Sequence, residues 1–135
     1  MSSFKLMVAE LEVLIINSYE SGVTLTEAEA LASRFLAAQL RVSEELRKAD
    51  LDARMRKTGV KAARAATYLA EVQKNDKKPS DTLLGAIVDA DNKVQAIQND
   101  YDHAEVEKAE LDRLFDVFAN AHIHFRTIAK GRFEA

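Results

Sequence analysis

One proline, Pro79, and four glycines are the only strong helix breakers in 135 residues. Between them lie tracts rich in Ala, Leu, Glu, Lys and Arg, which lose little on entering a helix. The expected fold is therefore all-α, a helical bundle with long helices. The length and an apolar content of 47% suit a single domain over residues 1–135. Without cysteine, the chain has no disulfide framework, no thiolate nucleophile and no Cys-based zinc site, which is compatible with a reducing cytoplasm. The longest strongly apolar run, Val13-Leu-Ile-Ile16, is far short of the roughly 20 residues that span a bilayer. No charged-apolar-small export signal precedes it. A soluble, cytoplasmic protein with no membrane contact is expected.

The breakers divide the chain into three helical segments, 1–22, 24–75 and 81–131. Ser2 or Ser3 caps the first, which carries Phe4, Met7 and Leu11 on one face and ends at Ser21-Gly22. Thr24-x-x-Glu27 and Thr26-x-x-Glu29 are alternative capping boxes for the second. Its apolar seam runs through Leu31, Phe35, Ala38, Val42, Leu46 and Ala49, then after a small drift through Leu51, Met55, Ala62, Ala66 and Leu69. Gly59 costs roughly 1 kcal/mol relative to Ala inside a helix, so one long helix and two helices bent at Thr58-Gly59 fit equally well. Asn75-Asp-Lys-Lys-Pro-Ser80 is the one clear linker.

The third segment has a heptad pattern. One position holds Ile87, Val94, Tyr101, Lys108, Phe115, His122 and Ala129; the other holds Ala90, Ile97, Ala104, Leu111, Phe118, Phe125 and Arg132. As one helix it would extend roughly 75 Å at 1.5 Å per residue, too long for a compact domain of this size. It must bend, break or find a partner chain. A homo-oligomer is expected, with Val94, Ile97, Leu111, Phe115, Phe118 and Phe125 as its oligomerisation residues.

Charge is segregated. Arg47 to Lys78 holds ten of the nineteen Lys and Arg residues against four acids, a local +6 within a chain of net −3. The flanking stretches, 1–46 at −4 and 79–121 at −7, are acidic. Within the basic island Arg54, Lys57, Lys61, Arg64 and Tyr68 follow spacings of three and four, so a helix places them on one face. Leu51, Met55, Ala62, Ala66 and Leu69 are expected roughly opposite, anchoring the helix. A row of cations ending on an aromatic ring suits nucleic acid: Arg binds phosphate bidentately, Lys acts as a point charge, and Tyr68 could stack on an unpaired base. The competing reading is a solvated face whose cations pair with the acidic helices.

No catalytic or metal constellation accompanies this stripe. His122 and His124 are two residues apart and point to different sides of a helix, and His103 is nearly six turns away. The acids between Asp89 and Asp116 read as a solvated helix face, without a nucleophile or Gly-rich phosphate loop beside them. A non-enzymatic protein without cofactor or metal is expected.

Five short motifs, in order, resemble the recombination mediator (UvsY) family of tailed phages. They are Arg34-Phe-Leu36, Lys61-Ala-Ala-Arg64-x-x-x-Tyr68, Val88-Asp-Ala-Asp91, Phe125-Arg-x-Ile128 and Arg132-Phe-Glu-Ala135. Members of that family are small helical proteins that help load a RecA-like recombinase onto single-stranded DNA. The resemblance implies single-stranded DNA contact through Arg64 and Lys61, and a ring-like homo-oligomer assembled through the C-terminal part. It also implies a single-strand binding protein and the recombinase as partners, in the host-cell cytoplasm. The alternative is a helical scaffold whose basic block binds an acidic protein.

Overall fold

The computed structural model describes the backbone of residues 2–134 and the side chains of residues 2–131. The described residues form the expected all-α bundle of four helices: α1 (Ser3–Ser21), α2 (Leu25–Lys74), α3 (Asp81–Ala90) and α4 (Asn92–Glu134). No strand occurs among them.

Local side-chain chemistry sets the boundaries. Ser2 Oγ accepts the Lys5 amide at 3.2 Å, satisfying one of the free donors of the first turn. Gly22 ends α1 at φ 72°, a region that penalises any residue with a Cβ. Of the two capping boxes, Thr24 is used: its Oγ1 accepts the Glu27 amide at 3.2 Å and donates to the Glu27 carboxylate at 2.9 Å. After the linker, Ser80 Oγ accepts the Leu83 amide and starts α3. Helix α2 runs unbroken through Gly59, where an added Cβ would meet nothing within 4 Å.

The segment expected as one helix over 81–131 is instead two. Asp91 sits between them in extended conformation, φ −66° and ψ 125°, and its carboxylate accepts the Val94 amide at 2.9 Å. Asp gains more by capping a new helix than by continuing the old one. The break takes only the ten residues of α3 from the segment, and α4 still runs for 43 residues, about 65 Å at 1.5 Å per residue.

The chain divides into two compact units, one of Met1–Glu44 with Arg113–Ala135 and one of Glu45–Asp112. In the first, Phe35 of α2 stacks on Phe125 of α4 at 5.5 Å and meets Phe118 at 5.7 Å. All three rings are buried, as are Leu11 of α1 and Ala28, Ala32 and Ala38 of α2. The small residues on α2 give the rings of α4 room, and each buried Phe contributes about 1.5–3 kcal/mol of transfer free energy. His122 donates from Nδ1 to the Ala32 carbonyl at 2.8 Å, and His124 stacks on Tyr19 at 5.8 Å.

In the second unit Ala53 and Val60 of α2, Leu84 and Val88 of α3, and Val94, Ala104 and Leu111 of α4 form the core. Here the expected seam needs correction. Leu51, Met55 and Leu69 are 60%, 66% and 57% exposed, and Ala62 and Ala66 are exposed too. Moving from Ala49 to Leu51 is a two-residue step, about 200° around a helix. The inward face instead keeps its alternation of three and four through Ala49, Ala53, Val60, Ala63 and Thr67. Periodicity fixes the buried side, and the larger apolar residues point away from it.

The heptad reading of the C-terminal segment fits α4 better than α3. Val94, Ala104, Leu111, Phe118, Phe125 and Ala129 are buried, while Ile87, Ile97, Tyr101, Lys108, Phe115 and His122 are half-buried. Ala90 is exposed at the helix break, and the side chain of Arg132 lies outside the described residues.

Two outcomes follow. Phe118→Ala should lower the unfolding free energy by about 3–5 kcal/mol in denaturant titration, the usual cost of emptying an aromatic core site. Gly59→Ala should raise it by about 1 kcal/mol; a decrease would show that α2 needs a glycine there.

Candidate functional site

The cationic stripe lies on α2 in the second unit, and the structure separates its members. Arg54 is exposed and pairs through Nε with Asp50 at 3.1 Å, one helical turn earlier. Arg64 is half-buried and pairs with Asp89 of α3 at 2.8 Å. Lys57 and Lys61 are exposed, and among the described residues neither has a carboxylate partner. Tyr68 is half-buried and contacts Lys78. That contact, with Asp81 behind it, holds the Lys78 ammonium above its ordinary pKa. The ring is therefore only partly available for stacking.

Arg64 alone pairs with an acidic helix, Arg54 is held by an acid of its own helix, and the middle of the stripe has neither. Exposed ion pairs of this kind contribute at most about 1 kcal/mol, so a phosphate could displace Asp50 or Asp89 at small cost. An undisplaced carboxylate would instead repel it. Lys57 and Lys61 carry no such penalty. They form the part of the stripe most open to an anion.

Asp50 lies outside the predicted stripe but organises one end of it. Its carboxylate also receives Lys108 of α4 at 3.0 Å. The hydrogen bond from Lys108 is the main reason the Asp50 carboxyl titrates below its ordinary value, with Arg54 adding to the effect. The same bond raises Lys108. The sequence does carry a signal for this, since Asp50-x-x-x-Arg54 and Asp52-x-x-x-Arg56 are four-residue acid-base spacings. Arg56 pairs with Asp52 at 3.0 Å and reaches Asp100 of α4 at 3.8 Å.

Two open depressions adjoin Arg64. One is lined by Asp89, Val94, Gln95, Gln98 and Asn99, and the other by Ala65, Tyr68, Asp81, Gly85 and Val88. The amides of Gln95, Gln98 and Asn99 were not singled out by spacing, because amides on a polar helix face give no periodic signal. Each depression holds a carboxylate beside Arg64, which disfavours a second anion there.

The predicted oligomerisation residues all face inward within one chain. Val94, Leu111, Phe118 and Phe125 are buried, and Ile97 and Phe115 are half-buried. Of the motifs that carry the family resemblance, the side chains of Arg132-Phe-Glu-Ala135 lie outside the described residues. Among the described residues no group of three His, Asp or Glu side chains is placed to hold a metal ion, and no helix is long and apolar enough to cross a membrane. Comparison with family models, with curated proteins and with solved structures returns no match.

The Asp50–Lys108 pair gives a pH signature. A carboxyl whose folded pKa is lowered adds stability above its ordinary pKa, near 3.8, and loses it as pH falls through the folded value. Asp50→Asn should therefore melt below wild type at pH 7. In thermal melts over a pH series, the difference should close as the buffer enters the acid range.

Proposed function

We propose that the chain is a non-enzymatic recombination mediator-like protein. It binds single-stranded DNA through the middle of the α2 stripe and helps load a RecA-like recombinase. The observation that carries this reading is the pair Lys57 and Lys61, exposed on one face of a long helix with no carboxylate partner among the described residues. The ordered resemblance to tailed-phage mediators supports it, as does the concentration of positive charge in an acidic chain.

Two lysines per chain bind phosphate weakly and lose that binding in salt. Linked copies convert weak contacts into avidity, which is why a homo-oligomer belongs to the proposal. Arg54 and Arg64 join the contact by exchanging Asp50 and Asp89 for phosphate, and Tyr68 offers a partial stacking edge. A single-strand binding protein and the recombinase are the protein partners this role requires.

A second reading, a helical scaffold for an acidic protein partner, is favoured by one specific observation. Leu51, Met55 and Leu69 are exposed beside the cations, and nucleic acid has no need of such a row.

The test is a polarisation titration of wild type and Lys57→Glu/Lys61→Glu with a short single-stranded DNA over a salt series. Each phosphate contact contributes about 0.7 to the logarithmic salt slope on single strands. Wild type should bind at low salt with a measurable slope, and the double variant should lose binding while keeping its helical circular dichroism. Absence of wild-type binding at low salt removes the mediator reading and leaves the scaffold. Equal binding by the variant removes the site.

A further inference from the structure

Helix α2 is apolar on two sides in the second unit. One side is the core seam. The other is the outward row Leu51, Met55, Ala62, Ala66 and Leu69, all exposed. Three large apolar side chains more than half exposed on one helix face mark a surface that another molecule covers. The row spans about 27 Å at 1.5 Å per residue. Arg47 and Arg54 border it; Arg54 is held by Asp50, whereas Arg47 is exposed and has no ion-pair partner among the described residues.

A surface of matching character occurs in the first unit, on α1. Leu6, Ala9, Val13 and Ile16 follow spacings of three and four, so they form one stripe. All four are exposed, with Leu6 at 49%, Val13 at 53% and Ile16 at 56%. The charges of α1 are one Lys and three Glu; of those along this stripe, Glu10 pairs with Arg34 of α2 at 3.6 Å, and Glu20 is exposed without an ion-pair partner among the described residues. Next to it is an open, mainly apolar depression lined by Ala9, Glu10, Val13, Leu14 and Arg34, into which a side chain such as Met55 can insert. The α1 stripe, about 15 Å long, fits within the α2 row. By contrast, α4 in the second unit offers exposed Val106 among Gln95, Asn99, Asp102, His103 and Glu110, a face too polar to bury such a row.

We infer that the outward face of α2 between Leu51 and Leu69 is the docking surface for α1 of a second copy of this chain. The apolar stripes bury each other, and Glu20 of α1 meets Arg47 beside the α2 row. The contact joins two different surfaces, so copies pair either reciprocally, as a closed dimer, or head-to-tail, as a ring or filament. Lys57 and Lys61 point to a different side of α2, so this inference does not rest on the proposed nucleic-acid role.

Complementation between two defective variants tests it. Val13→Glu with Ile16→Glu spoils the α1 stripe and leaves α2 intact; Leu51→Glu with Met55→Glu does the reverse. All four positions are exposed, and circular dichroism checks that each variant keeps wild-type helicity. Ser at the same positions provides a milder pair if a Glu variant loses its fold. In sedimentation, wild type should exceed the mass of a monomer over a concentration series, and each variant alone should be monomeric. An equimolar mixture should give a one-to-one dimer and nothing larger, because only one productive contact remains. A monomeric wild type overturns the inference and assigns the row to a different partner. Variants that keep the wild-type mass, or that fail to pair when mixed, overturn it in favour of another surface or of a stripe that pairs with its own copy. DNA binding is read separately through Lys57 and Lys61, so failure of this contact and failure of the nucleic-acid site are distinguishable; a monomeric wild type would also remove the homo-oligomer from the proposed function.

Discussion

The constraint on which the structure most depends is the strict alternation of three and four residues along the inward face of α2. It brings Ala28, Ala32, Phe35 and Val42 to the core of the first unit and Ala53 and Val60 to the core of the second. Because an α-helix offers one inward direction at a time, this register also decides what must point away. Leu51, Met55 and Leu69 face water for that reason, not because they are poor core residues. The same register places Arg64 near α3, where Asp89 meets it, and leaves Lys57 and Lys61 facing solvent. Burial and electrostatics on this helix are two results of one geometric choice.

Much of the fold was legible in the sequence because its signals are local. The scarcity of breakers gave the all-α class; Gly22, the Thr24 cap and the Pro79 linker gave the first boundaries to within a residue or two. What escaped depended on distinguishing periodicity from side-chain size. The seam drifts only if Leu51 and Met55 are preferred to Ala53 because they are larger. Ala is a strong core residue where two helices approach closely, and nothing local marks where they will. Asp91 escaped for a related reason: one Asp in a run of acids looks solvated until its carboxylate is seen on the Val94 amide.

The candidate site was legible in part. Helical spacing places Arg54, Lys57, Lys61 and Arg64 along one side of α2. Their availability, however, depends on acids brought near by tertiary structure. Asp89 is twenty-five residues from Arg64 in the chain, and no helical spacing relates them. Asp50 could have been anticipated for Arg54, but not its second bond to Lys108. Spacing along one helix identifies cations that share a face; only packing shows which of them are already engaged.

Lys108 interrupts an otherwise apolar heptad position on α4, and the interruption has a consequence for alignment. Purely apolar heptads can slide past one another by seven residues with little loss, since every knob finds a similar hole. Here the heptad neighbours of Lys108 are Tyr101 and Phe115. A slip of one heptad in either direction would set the Asp50 carboxylate against an aromatic ring and strip it of its cation. Among the described residues the buried set contains no polar or charged side chain, so it supplies no such check of its own. A half-buried lysine at the margin of the core is what makes a displaced pairing of α2 and α4 in this unit unfavourable.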